Sequence, residues 1–366
     1  MIDGKAATLD NAIATASQLL LNGKRRTITG RIRSVEGARA ALAFASKIGA
    51  FVDPDGSDDA FKSIRAIQRS GMVTASMSEV RFRSDCIVLI GDDRLLESFP
   101  RLIEVLTLQA SQCSLMLQRR IVAIGKWSTK SITRLRQAGN DVCSIDIDID
   151  RIPQSFFQWS HCGSRAHSTS PNVISQWISQ ARYLSIVWSA SQLDMPHPDL
   201  WIERLNQWIL QRNAQIRCVG FPLASDYVTF QQVCTWTTGF PGRVLLEKDS
   251  FEYIPDLSSD KNRNRGIKTN SHVAVVLRID ESIGGMANKP AIVLPTVAIA
   301  PYLDVASQSA RVFIPCAVAG VDHRATFFRV DATVAVESHA PLPRSHSEQA
   351  LPVSEILSRM GALTSC

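Results

Sequence analysis

The chain reads as an α/β protein built on parallel strands, and three observations predict it. Short apolar runs alternate with segments of helical periodicity, the β-α-β rhythm that places parallel strands under covering helices. The length of 366 residues suits two or three domains at roughly 100 to 200 residues each, and 45% hydrophobic content is ample for their cores. One stretch from Leu257 to Ser271, containing SSDKNRNRGIKTNS, breaks the rhythm as a charged surface loop or domain boundary.

The elements follow in order. From Leu9, residues Ala12, Ile13, Ala16, Leu19 and Leu20 recur at helical period, and Asn22-Gly23 ends that helix before a strand with a basic start, Lys24, Arg25 and Arg26, that reaches Thr29. Ser34 caps a helix over Val35 to Ile48, with Ala38, Ala41, Leu42 and Ala45 on one face, and Gly49 stops it before a strand over Ala50 to Val52. Further strands are expected at Cys86 to Ile90, Arg120 to Ile124, Val142 to Ile147 and Ser185 to Trp188. A longer helix, Leu200 to Gln211, carries the stripe Trp201, Leu205, Trp208 and Ile209, which reads as core, and a strand over Ile216 to Leu223 follows. Beyond the charged loop the sheet pattern resumes at His272 to Ile279 and Ala291 to Leu294. Arg311 to Val334 then joins an apolar strand through a Gly turn to a second, alternating strand. A tail rich in Pro, Ser and His ends in an amphipathic segment, Val353 to Leu363, expected to wrap or dock.

Several function classes lack support. No apolar run reaches the roughly 18 residues of a membrane span, and the first residues carry no charged head with an apolar core, so a cytoplasmic protein is expected. The eight cysteines are scattered singly with no CxxC pair, which reads as buried, reduced thiols rather than a zinc or cluster site. His161 and His167 flank CGSRA in a polar loop, too loosely spaced for a metal site. There is no G-x-S-x-G elbow, no GxGxxG and no P-loop. Net charge is +6, without a helix-turn-helix, finger or RNP pattern, so nucleic acid is not indicated; an anionic tail or acidic partner fits the surplus. The candidate contacts for such a partner are Lys24, Arg25, Arg26, Lys261, Arg263, Arg265 and Lys268.

Three segments carry a resemblance. The first contains Gly71, Ser78, Glu79, Val80, Arg83 and Asp85 ahead of Cys86 to Ile90. The second is TFQQVCTWTTGFPG, with Thr235, Trp236, Thr238, Gly239 and Pro241, and Phe240 in place of a Tyr. The third contains Ile314, Pro315, Gly320, Asp322, Ala325, Phe328 and Arg329. In this order they resemble the B subunit of formylmethanofuran dehydrogenase, and among its relatives the metal-free B subunit of the formyltransferase/hydrolase complex, over about residues 9 to 335. The resemblance implies two Rossmann-like, three-layer domains, residues 1–118 with 272–366 as the first and 119–271 inserted as the second.

The departures from that family bear on function. Its dehydrogenases carry N-terminal cluster cysteines and, in the segment between Val52 and Ala66, a metal-ligating Cys. Here that segment reads DPDGSDDAFKSIR, in which Asp55, Asp58 and Asp59 read as a solvated turn. The pterin dinucleotide position reads Ser144, Ile145, Asp146, Ile147, Asp148, and His323-Arg324 with Ala325 replaces a Glu-Gly approach. The implied protein has no cofactor of its own. It is a non-redox scaffold that sits with the hydrolase (A), C and formyltransferase (D) subunits and a polyglutamate methanofuran carrier. An active dehydrogenase chain with ligands supplied otherwise, and a free-standing anion-binding module, are the alternatives.

Overall fold

The structure is a computed structural model that describes residues 1–106, 119–161, 170–224, 227–248, 250–255, 274–281, 296–303, 308–341 and 350–364. The chain opens with α1 (Leu9–Asn22), β1 (Arg25–Arg31), α2 (Val35–Ile48) and β2 (Ala50–Val52). It continues through α3 (Ser57–Ser70), α4 (Met77–Arg83), β3 (Cys86–Ile90), α5 (Arg94–Ser98), α6 (Leu102–Leu106), β4 (Arg119–Ile124), α7 (Thr129–Gln137) and β5 (Asn140–Ile145). Next come α8 (Ile152–His161), α9 (Ser170–Gln180), β6 (Tyr183–Trp188), α10 (Pro198–Arg212) and β7 (Arg217–Pro222). The remainder is α11 (Val228–Thr238), β8 (Val244–Leu246), β9 (Phe251–Tyr253), β10 (Ala274–Asp280), β11 (Val297–Ala300), β12 (Val312–Pro315), β13 (Ala325–Phe328), β14 (Ala335–Ser338) and α12 (Val353–Leu363).

Two compact units form, Met1–Ser57 with Asp226–Cys366, and Asp58–Ser225. The breaks at residues 57/58 and 225/226 stand in place of the expected 118 and 271. The physical reason is β3: its CIVLI run is buried along its whole length between β4 and β6, which draws the chain from α3 onward into the second unit. The expected turn is present at Asp55 and Gly56, but α3 starts at Ser57, which places Asp58 and Asp59 in its first turn, where the helix dipole favours acids.

In the first unit, the seven-stranded sheet runs β12-β11-β10-β1-β2-β8-β9. Its first five strands are parallel and β8 and β9 are antiparallel additions. The parallel core has the order 2-1-3-4-5 counted along the chain, so winding reverses between β1 and β10. Helix α12 packs against α1 and α2, burying Val353, Ile356, Leu357 and Met360. The two C-terminal strands expected on either side of the Gly turn are both present, and they lie in different sheets. The all-apolar β12 joins the parallel sheet beside β11, whereas β13, alternating and half-buried, pairs with β14 as a separate antiparallel ribbon. The expected strand at residues 291–294 lies outside the described residues, and β11 follows it.

The second unit is an all-parallel sheet of order β5-β4-β3-β6-β7. That is 3-2-1-4-5 along the chain, with the reversal between β3 and β6. Helices α8, α9 and α10 bury Phe156, Ile174, Ile178, Trp201 and Trp208 against Val88, Ile90, Ile124, Ile186 and Trp188. The central strands β3 and β6 are buried along their whole length because a parallel sheet is covered on both faces, while the edge strand β5 is half-buried.

Candidate functional site

In open parallel sheets a ligand lies in the crevice at the carboxyl ends of the strands, where winding reverses. In the first unit the crevice is at the ends of β1 and β10, beside the N-terminus of α2. The chain itself fills it. Glu281, one residue beyond β10 and 3% exposed, takes the Arg33 and Ser34 N–H groups on Oε2, each at 2.8 Å, and the Ser34 hydroxyl on Oε1 at 2.7 Å. Ser34 also caps α2, as expected from the sequence, by accepting the Gly37 N–H at 2.9 Å. Gly37 makes the fit possible: a Cβ there would stand 2.2 Å from Glu281 Oε1. Alongside, the Arg31 guanidinium donates from Nε (2.9 Å) and Nη2 (2.6 Å) to Asp280 Oδ2. Burial pushes the Glu281 carboxyl up, and the hydrogen bonds from Ser34 and Arg33 offset only part of that.

The second unit's crevice is also internally occupied. Gly91, one residue past β3 with φ +148°, presents its bare Cα to Gln192, whose Oε1 lies 2.5 Å from where a Cβ would be. Gln192 is 3% exposed and its side-chain amide makes no hydrogen bond to any of the described residues. The sequence does not single out either acid at the first crevice; the signal it holds is an Asp-Glu pair across the end of a seven-residue strand, Asp280 its last residue and Glu281 the next.

The expected anion contacts divide. Lys24 and Arg25 are exposed at the start of β1. Arg26 is committed to the fold: Nε and Nη2 donate to the Leu20 and Leu21 carbonyls at 2.7 and 2.8 Å, and Nη1 donates to the Ile48 carbonyl, gathering the C-terminal ends of α1 and α2. Lys261, Arg263, Arg265 and Lys268 lie outside the described residues.

The three motifs perform structural work. Ser76 and Glu79 form a capping box on α4, Val80 is buried beneath it, and Asp85 accepts the Arg182 and Tyr183 N–H groups at 2.9 Å. The second and third motifs meet, since Phe328 donates its N–H to Thr229 Oγ1 at 3.0 Å and packs edge-on against Trp236 at 5.4 Å. Asp322 caps the Gly320 turn through the Val318 N–H at 2.8 Å, and Arg329 holds Asp331 at 2.5 Å in the loop of the β13–β14 ribbon. Trp236 is 60% exposed, while Trp188, Trp201 and Trp208 belong to the core.

The described residues do not fit a metal–pterin or iron-sulfur group. Asp55 pairs with Arg278 at 2.8 Å and Asp59 with Lys62 at 2.8 Å, Asp148 pairs with Lys126 at 2.5 Å, and no group of three or more His, Cys, Asp or Glu among the described residues is arranged to hold a metal. Cluster irons need thiolates. Among the described residues the cysteines stand singly, and burial pushes their thiols up, Cys218 to about 12, Cys234 to about 11, and Cys86, Cys316 and Cys143 upward as well. Among the described residues no helix is long and apolar enough to cross a membrane.

No family model matches the chain. It is 22% identical over 249 residues, 66% of its length, to the B subunit of the formyltransferase/hydrolase complex Fhc of Methylorubrum extorquens. It is 28% identical over 137 residues, 36% of its length, to the B subunit of the tungsten-containing formylmethanofuran dehydrogenase 2 of Methanocaldococcus jannaschii. The matched segments span 65% and 30% of those two relatives. A chain from the crystal structure of the M. extorquens formyltransferase/hydrolase complex with methylofuran matches at TM-score 0.79 and 19% identity, covering 100% of this chain and 98% of that one. The resemblance carried by the three motifs therefore stands: in sequence the chain is similar to the Fhc B subunit, and it shares the fold of a chain of that complex along its whole length.

Proposed function

We propose that this chain is the B subunit of a formyltransferase/hydrolase complex, a non-redox scaffold in the conversion of formyl-tetrahydromethanopterin to formate through a formyl-methanofuran carrier. The observation that carries the reading is the full-length likeness joined to crevices that the chain's own side chains fill. The motifs recur in order on one continuous fold, while Glu281 and Gln192 occupy the two places where sheets of this kind receive a ligand. Its partners are the hydrolase, C and formyltransferase subunits, in the cytoplasm. Exposed Lys24 and Arg25, with Lys261, Arg263, Arg265 and Lys268, supply positive charge toward an anionic carrier tail. The test is isolation from the source cell with native partners. Three co-purifying subunits, and no stoichiometric molybdenum, tungsten, iron or pterin, are the expected outcome. Stoichiometric tungsten or molybdenum with a pterin restores a dehydrogenase.

A further inference from the structure

A parallel sheet with reversed winding creates an electropositive crevice whether or not a ligand arrives. The N–H groups at the start of the crossover helix point into it, and the helix dipole adds roughly half a positive charge. Left unpaired and buried, such donors destabilise the fold. In the first unit every feature of such a site is present, but the anion is part of the chain. Glu281 supplies two oxygens to three donors, the Arg33 N–H, the Ser34 N–H and the Ser34 hydroxyl. Gly37 is shaped around one of those oxygens. Glu281 is itself anchored, its own N–H donating to the Arg31 carbonyl at 3.1 Å, and Asp280 before it is held by the Arg31 guanidinium. Cys316 closes one side by donating its thiol to the Asp280 carbonyl at 3.5 Å.

We propose that Glu281 is a resident anion which fills the winding-reversal crevice of the first unit in place of a ligand phosphate or carboxylate, so that this unit folds without one. The proposal goes beyond the assembly role above and shares with it the Glu281 observation; the two fail separately, because the test below reads the stability of this chain and the isolation above reads its partners and metal content. It assigns the crevice a ligand chemistry: a small carboxylate is the fragment that Glu281→Ala removes.

The experiment is thermal unfolding of the full-length chain, wild type and Glu281→Ala, in acetate and in chloride at matched ionic strength. The variant is expected to melt several degrees lower in chloride and to recover most of that loss in acetate, while the wild type melts alike in both salts. A variant that melts with the wild type, or that acetate moves no more than it moves the wild type, overturns the proposal. Should Glu281→Ala fail to fold, Glu281→Gln decides. It keeps the volume but turns one acceptor into a donor facing the Arg33 and Ser34 N–H groups, so it is expected to melt below the wild type and to ignore acetate. Equal or higher stability of that variant also overturns the proposal.

Discussion

Buried polar groups in this protein are employed as fasteners, and Arg119 shows what that costs. Only 1% exposed, its guanidinium donates to the Ser84 and Leu106 carbonyls at 2.9 and 3.0 Å and to the Arg81 carbonyl, gathering the ends of α4 and α6. Burial, helped by the nearby Arg81 charge, pulls its pKa down to about 10, so it remains a cation at neutral pH with no acid beside it among the described residues. Arg119→Leu strands three carbonyls; at about 1 to 3 kcal/mol for each unsatisfied buried group, moderated by repacking, a loss of about 3 kcal/mol is expected in urea unfolding. Lysine is a poor substitute, because a single ammonium lacks the planar fork that spans three acceptors. The thiols give a second residue-level expectation. Among Cys86, Cys143, Cys218, Cys234 and Cys316, Cys143 alone is not fully buried, so a thiol reagent on the native protein should modify it before the other four. Cys234, a weaker acid folded than unfolded, contributes stability below its ordinary value near 9 that is lost as pH rises through about 11. Cys234→Val is expected to flatten that alkaline decline in stability measured from about pH 8 to about pH 11.

At the scale of elements, α12 is the piece whose removal reaches furthest in sequence. Val353, Ile356, Leu357 and Met360 are buried against α1 and α2, and the Met360 carbonyl accepts the Ser17 hydroxyl at 3.5 Å. Met360→Ala is expected to destabilise by about 2 to 5 kcal/mol, the range for emptying a buried large side chain, read as a lowered urea midpoint at unchanged slope. Amphipathic spacing makes this helix legible, as it does α1, α2 and α10, and continuous apolar runs make β3, β4, β6 and β7 legible. What stays hidden has physical reasons. Helix α3 opens with SDDAFK, where acids that favour a helix start look the same as acids in a solvated turn. The partner of β13 cannot be read because alternation shows that a strand is half-buried and says nothing of which strand lies opposite. Glu281 is invisible as a site because its meaning depends on Ser34, 247 residues away, and on Gly37, and only the adjacency of β1 and β10 brings them together.

For the whole molecule, the charge surplus becomes a measurable quantity under the scaffold reading. An anionic polyglutamate tail gains from a basic surface mainly through long-range attraction, which salt screens within about 10 Å at about 0.1 M. The net charge of +6 falls to +2 when Lys261, Arg263, Arg265 and Lys268 are all neutralised, since four positive charges are removed. The expected outcome for the assembled complex is weaker carrier binding with a shallower dependence on salt, assembly being unchanged. Arg26 belongs to a different class. Its three donors close the ends of α1 and α2, so Arg26→Ala should lower the melting temperature and leave the salt dependence of carrier binding where it was. Unchanged carrier affinity and unchanged assembly in the fourfold variant would remove Lys261, Arg263, Arg265 and Lys268 from the docking surface. The remaining candidate cations, Lys24 and Arg25, then become the next pair to neutralise, because Arg25 opens a strand that the sheet holds in place and Lys24 directly precedes it.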